Sequence, residues 1–147
     1  MCASRKFFAA LAVALLVSCS REASIEQQVR EVIERAEQRA EARDLSSLME
    51  LVSESYSDMR GNDRQQIRDY LRGYFLLNQS VHLLTRIESL EFPADELAKA
   101  RITVGMLGRQ GGEDWNLAAD LYEFEIELLR EDGEWRVRHA DWQRVLR

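Results

Sequence analysis

The hydrophobic period of the chain changes once, at Ser80, and that change limits the fold more than any other feature. Before it, apolar residues recur every three or four positions, as on one face of a helix. Ile25, Val29, Val32, Ile33, Ala36 and Ala40 share such a face, which predicts a helix over 25–43. Ser24 stands three residues before Gln27, a capping-box spacing. Glu26/Arg30 and Glu31/Arg35 add i,i+4 pairs worth about 0.2–0.5 kcal/mol each. Asp44 can cap a second, shorter helix carrying Leu45, Leu48, Met49 and Val52, and Ser53 to Gly61 reads as a short extended segment and turn. Asn62 or Asp63 caps a third helix, since each has a Gln three residues on. Ile67, Tyr70, Leu71, Tyr74 and Phe75 form its apolar face.

After Ser80 the period is two, as in a half-buried strand. Val81, Leu83, Thr85, Ile87 and Ser89 alternate with His82, Leu84, Arg86 and Glu88, and Pro93 is expected to end this strand. Ala98, Ala100, Ile102, Val104 and Met106 define a second strand closed by Gly108, followed by a Gly-rich polar loop over 108–118 containing Trp115 and Asn116. Tyr122, Phe124, Ile126 and Leu128 alternate with Glu123, Glu125 and Glu127 in a third, whose glutamates read as a wet face. Asp132-Gly133 is a hairpin signal, leading to a fourth strand over 135–142 with Trp135, Val137 and His139 expected on one face. Helices followed by antiparallel strands predict an α+β layer fold, and residues 24–147 contain no repeat or linker that would divide it.

The 147 residues carry 20 Lys+Arg against 26 Asp+Glu, a formal charge of −6, with no basic run that would suit nucleic acid. The arginines are scattered rather than clustered. Two cysteines and two histidines leave little for a metal site, and no cofactor motif is present. The Gly108/Gly111/Gly112 segment lacks the lysine and the strand-to-helix setting of a phosphate loop.

Arg5 and Lys6 precede eleven uncharged residues from Phe7 to Val17, too few to span a bilayer but suited to a secretory signal. Leu16-Val17-Ser18-Cys19 resembles the lipobox of bacterial lipoprotein precursors. The resemblance implies that 1–18 is a signal peptide, that Cys19 is acylated, and that 19–23 is a lipidated tether. Cleavage there would leave 129 residues, remove Cys2, and take the formal charge from −6 to −8 with the loss of Arg5 and Lys6. Several acyl chains together anchor firmly. In the lipoproteins it resembles, Ser20 after the cysteine favours the outer membrane, facing the periplasm.

The order of elements, the aromatic third helix and the Gly133-Glu134-Trp135-Arg136-Val137 ending resemble the NTF2-like superfamily, including its SnoaL-like and ketosteroid-isomerase-like members. The resemblance covers residues 24–146 and implies helices on a curved sheet, forming a cone with an apolar pocket. Its enzymes place an Asp or His base and a Tyr donor in that pocket, where burial tunes their pKa. Pocket candidates here are Tyr56, Tyr70, Tyr74, Asp120, Tyr122 and His139, with Asp58 and His82 as weaker ones. None aligns with a catalytic position of the family, so no catalytic residue is assigned. Plainer roles compete: core packing for Tyr70 and Tyr74, a solvated face for His82, a turn or cap for Asp58, and a hydrogen-bonded core or rim position for His139. The expected function is a lipid-anchored, non-catalytic envelope domain binding a small apolar ligand or a protein partner. The alternatives are a ketosteroid-isomerase-like or dehydratase-like enzyme, and a structural subunit or homodimer pairing through the sheet face.

Overall fold

A computed structural model describes residues 23–110 and 117–146. The first helix, α1 (Ile25–Glu41), starts where Ser24 Oγ accepts the Gln27 N–H at 3.1 Å. Gln27 does not reach back to complete a box; its amide turns to Glu31 instead. Asp44 caps α2 (Leu45–Met49) through the Ser47 N–H, and a short strand, β1 (Val52–Ser57), follows. Of the two candidate caps for α3 (Arg64–Leu77), Asp63 is the one used. Its carboxylate accepts the Gln66 N–H at 2.8 Å, and the Gln66 side chain accepts the Asp63 N–H at 2.9 Å.

Four long strands complete the chain: β2 (Asn78–Ala94), β3 (Leu97–Gln110), β4 (Leu117–Glu131) and β5 (Glu134–Leu146). The sheet order is β1-β5-β4-β3-β2, antiparallel throughout except that β1 runs parallel to β5. All are longer than the alternation suggests. Pro93 lies inside β2 rather than ending it, because β2 is an edge strand and its missing N–H breaks no ladder bond there. The expected polar loop over 108–118 is shorter too, since β3 reaches Gln110 and β4 begins at Leu117; Trp115 and Asn116 lie outside the described residues. Asp132 (φ 51°) and Gly133 (φ 82°) form the two-residue turn joining β4 to β5.

Register shifts near Ile87/Ser89, Leu121/Tyr122 and Glu127/Leu128 mark bulges that bend the sheet around the helices. The last of these reverses an expectation. Val137 pairs with Leu128 but His139 pairs with Glu127, so Arg138 is the extra residue of a bulge. His139 therefore leaves the face of Trp135 and Val137 and joins the glutamate face, while Ala140 and Trp142 turn inward opposite Ile126 and Phe124.

The concave face holds the core. Val29, Val32 and Ile33 of α1 pack on Ala98, Ala100, Ile102, Val104, Ile126, Leu128 and Trp135. Each buried Val, Ile or Leu among them stabilises the fold by about 1.5–3 kcal/mol. Ala98 and Ala100 are buried in this layer, and the Trp135 indole N–H donates to Gln28 Oε1 at 3.2 Å. The convex face is charged, with Lys99–Glu127 (2.9 Å) and Arg101–Glu125 (3.0 Å) pairing across β3 and β4. Glu37 and Glu41 of α1 accept the outward N–H groups of Thr85 (3.2 Å) and Leu83 (2.8 Å) along the β2 edge. No helix among the described residues is long and apolar enough to cross a membrane.

Candidate functional site

Towards the far end of α1 the helices and the sheet part, leaving a cavity of about 250 Å³. Its helical wall is Ala36, Leu48, Ile67, Tyr70, Leu71 and Tyr74; its sheet wall includes Tyr56, Met106, Tyr122, Phe124, Val137, Ala140 and Trp142. A second apolar compartment of about 260 Å³ shares seven lining residues with it, among them Ala36, Leu48, Met106 and Ala140, and continues beneath α1. The β5 bulge matters here, because it is what turns Ala140 and Trp142 into this space.

Aromatic rings frame the opening. Trp142 stacks on Phe124 (centroids 6.1 Å apart, planes at 26°), Tyr70 tilts against Trp142 at 6.4 Å, and Tyr122 against Phe124 at 6.2 Å. Tyr70 is 57% exposed and marks the rim; Tyr56 is 5% exposed and lies deep. Burial, with Tyr122, Tyr70 and Asp120 nearby, raises the Tyr74 hydroxyl above its ordinary pKa. Burial also raises Tyr56, with the Asp58 and Asp141 carboxylates adding to it. Both phenols thus stay protonated at neutral pH, as hydrogen-bond donors rather than bases.

Of the six pocket candidates, the structure brings Tyr56, Tyr70, Tyr74 and Tyr122 around one cavity. Asp120 stands beside them, its carboxylate held by Arg144 at 2.7 Å. His139 is on the convex face, where its Nε2 lies 3.0 Å from Asp141. The bulge at Arg138 is the physical reason it does not reach the cavity. His82 is exposed on that convex face as well. Asp58 takes the turn role: Oδ1 accepts the Arg60 and Asn62 N–H groups at 2.9 Å each, and Oδ2 accepts Asn62 Nδ2 at 2.8 Å. Burial works to raise its pKa, but the bonds from Asn62 and Arg60 outweigh it and hold the carboxyl below its ordinary value. Cys19 lies outside the described residues.

Sequence reasoning missed Phe124, Trp142 and Met106 as cavity residues, and Arg60 and Arg144 beside them. Even-numbered spacing from Tyr122 to Phe124 was a usable signal for one; the parity of Trp142 was hidden by the bulge. Among the described residues, no three His, Cys, Asp or Glu side chains are grouped to hold a metal. Among the described residues the lining includes four phenols, and its remaining side chains are apolar or aromatic, a surface suited to a flat apolar body.

This arrangement, three helices closing a curved sheet over an apolar cavity, is the NTF2-like cone. No protein-family model and no curated protein matches the sequence. Solved structures do. A scytalone dehydratase-like protein of Novosphingobium aromaticivorans superposes with a TM-score of 0.76 at 13% identity, over 82% of this chain and 84% of that one. A protein of the NTF2-like family from Streptomyces avermitilis gives 0.73 at 12%, over 83% and 97%. A ketosteroid isomerase-like protein of Erwinia carotovora gives 0.67 at 8%, over 82% and 95%. At these identities the likeness is one of fold, and the fold carries several chemistries.

Proposed function

We propose that this protein is a lipid-anchored domain of the bacterial envelope whose cone binds a small, largely apolar ligand without transforming it. The observation that carries the reading is the cavity wall, apolar and aromatic with protonated tyrosine hydroxyls as its polar points. Acylation of Cys19 would hold the domain at the membrane surface, facing the periplasm from the outer membrane. Its net acidic body adds no attraction to anionic lipid, so the acyl chains would carry the anchoring.

Two experiments test this. N-phenyl-1-naphthylamine, a neutral apolar fluorophore, should brighten on binding the wild-type domain. Ala36→Phe, which fills the space shared by both compartments, should abolish the signal while circular dichroism shows a folded protein. Equal brightening in both would sink the cavity reading. Metabolic labelling with a fatty-acid analogue should mark the wild type and not Cys19→Ala; equal labelling would remove the anchor.

A second reading, acid–base enzymology, is favoured by the Asp58 carboxylate beside the buried Tyr56. It predicts that a bound 2-tetralone takes up deuterium from D₂O faster than in buffer, and that Asp58→Asn removes the excess. Binding without excess uptake favours the non-catalytic reading.

A further inference from the structure

Two guanidinium groups rest on rings that frame the cavity opening. Arg60 Cζ lies 4.5 Å from the centroid of Trp142, and Arg144 Cζ lies 5.8 Å from that of Tyr122. They come from different elements and are held differently. Arg60 sits in the turn between β1 and α3, fixed by the Asp58 carboxylate at its own N–H and by Met59 N–H donating to Asp141 Oδ1 at 2.7 Å. Arg144 projects from β5 two residues beyond Trp142, on the same face and therefore about 7 Å along the strand.

Their counter-charges differ too. Arg144 is already paired with Asp120 at 2.7 Å. Arg60 makes no ion pair within 4.0 Å among the described residues. Asp58, whose carboxylate interacts with the Arg60 charge, accepts the Arg60 and Asn62 backbone N–H groups and the Asn62 amide of the turn. Of the two rim guanidiniums, Arg144 is thus bonded to a carboxylate, while the Asp58 and Asp141 carboxylates near Arg60 are engaged by backbone donors of the turn. A guanidinium lying over a ring face can still present an N–H edge to a bidentate acceptor.

Resting on the ligand-binding reading above, we propose that the ligand class is an apolar carboxylic acid bound as its monoanion. Its ring or chain occupies the aromatic cavity, and its carboxylate meets the Arg60 guanidinium at the rim beside Trp142. Arg144, neutralised by Asp120, shapes the rim and packs on Tyr122. A guanidinium with no carboxylate within 4.0 Å of it among the described residues sets the preference for one negative charge.

The test is a matched pair, 2-naphthoate and 2-naphthylmethanol, titrated calorimetrically at pH 7.5 against the wild type and Arg60→Gln. The acid should bind the wild type about tenfold more tightly than the alcohol. Arg60→Gln should bring the acid to the alcohol's affinity and leave the alcohol unchanged. Arg60 is exposed, so the variant should keep its fold, which thermal melting checks. Equal affinities in the wild type overturn the carboxylate proposal and leave the cavity reading standing. A preference for the acid that survives Arg60→Gln overturns the assignment to Arg60. If neither compound binds, the cavity reading itself fails.

Discussion

Gly108 is the position where one added methyl group should cost most. It sits near the end of β3, and a Cβ built on it would lie 2.8 Å from Asn78 Oδ1 and 3.5 Å from the Tyr74 hydroxyl. The second distance is ordinary contact, but the first is not. Asn78 is 4% exposed, and its side-chain amide donates to the Tyr74 carbonyl at 2.9 Å, where α3 gives way to β2. Gly108→Ala therefore leaves two responses. Either Asn78 rotates and loses a buried hydrogen bond, at about 1–3 kcal/mol, or the strands move apart, at about 1–3 kcal/mol of overpacking. The cheaper mixture of the two should cost about 1–2 kcal/mol, a fall in melting temperature of about 3–10 °C for a domain of this size. Urea denaturation followed by circular dichroism on residues 20–147 measures it. The clash has one named partner, so a double-mutant cycle isolates it: in an Asn78→Ala background, Gly108→Ala should cost at least about 1 kcal/mol less. An unchanged midpoint for the single variant, or the same cost in both backgrounds, would refute the reasoning.

Asp58 should make the fold acid-sensitive. Its folded pKa lies below the ordinary 3.8, so its contribution is fully present above that value and is lost as pH falls through the depressed folded value. Asp58→Asn should lower stability at pH 7 by about 1–2 kcal/mol, because an amide faces the Asn62 amide donor, and should flatten the acid limb of stability against pH. An acid limb as steep as the wild type's would count against this. Glu37→Ala with Glu41→Ala should expose the Thr85 and Leu83 N–H groups at about 0.5–1.5 kcal/mol each and promote edge-to-edge association, read by sedimentation velocity. A double variant that stays as monodisperse as the wild type would argue that the edge needs no cover.

Much of this architecture was legible because its signals are local. Ser24, Asp44 and Asp63 cap helices through their own side chains, and Asp132-Gly133 needs only two positive φ angles to reverse the chain. The alternation through Val81 to Ile87 and Tyr122 to Leu128 fixes which face is buried. What could not be read was non-local. The parallel pairing of β1 with β5 joins residues some 80 positions apart, Val52 with Val137. The bulge at Arg138 has no residue type that demands it, yet it exchanges His139 for Ala140 on the concave face and so rewrites the cavity's wall. The tyrosines were found because an aromatic helical stripe is visible in one dimension. Arg60 was not, because its ring partner lies on a strand at the other end of the chain.

The direction of α1 has a consequence for how such a domain would work at a surface. The helix enters beside Trp135, at the end where the β2–β3 and β4–β5 hairpins turn, and runs about 25 Å to Glu41 beside Leu83. The aromatic opening, with Tyr122, Trp142 and Arg144, lies at the second end. With the proposed anchor at Cys19, six residues before α1, the hairpin end would stand nearest the lipid and the mouth would open outward. A molecule leaving the cone would then be released to the aqueous space or to an apposed carrier, not back into the leaflet that holds the protein.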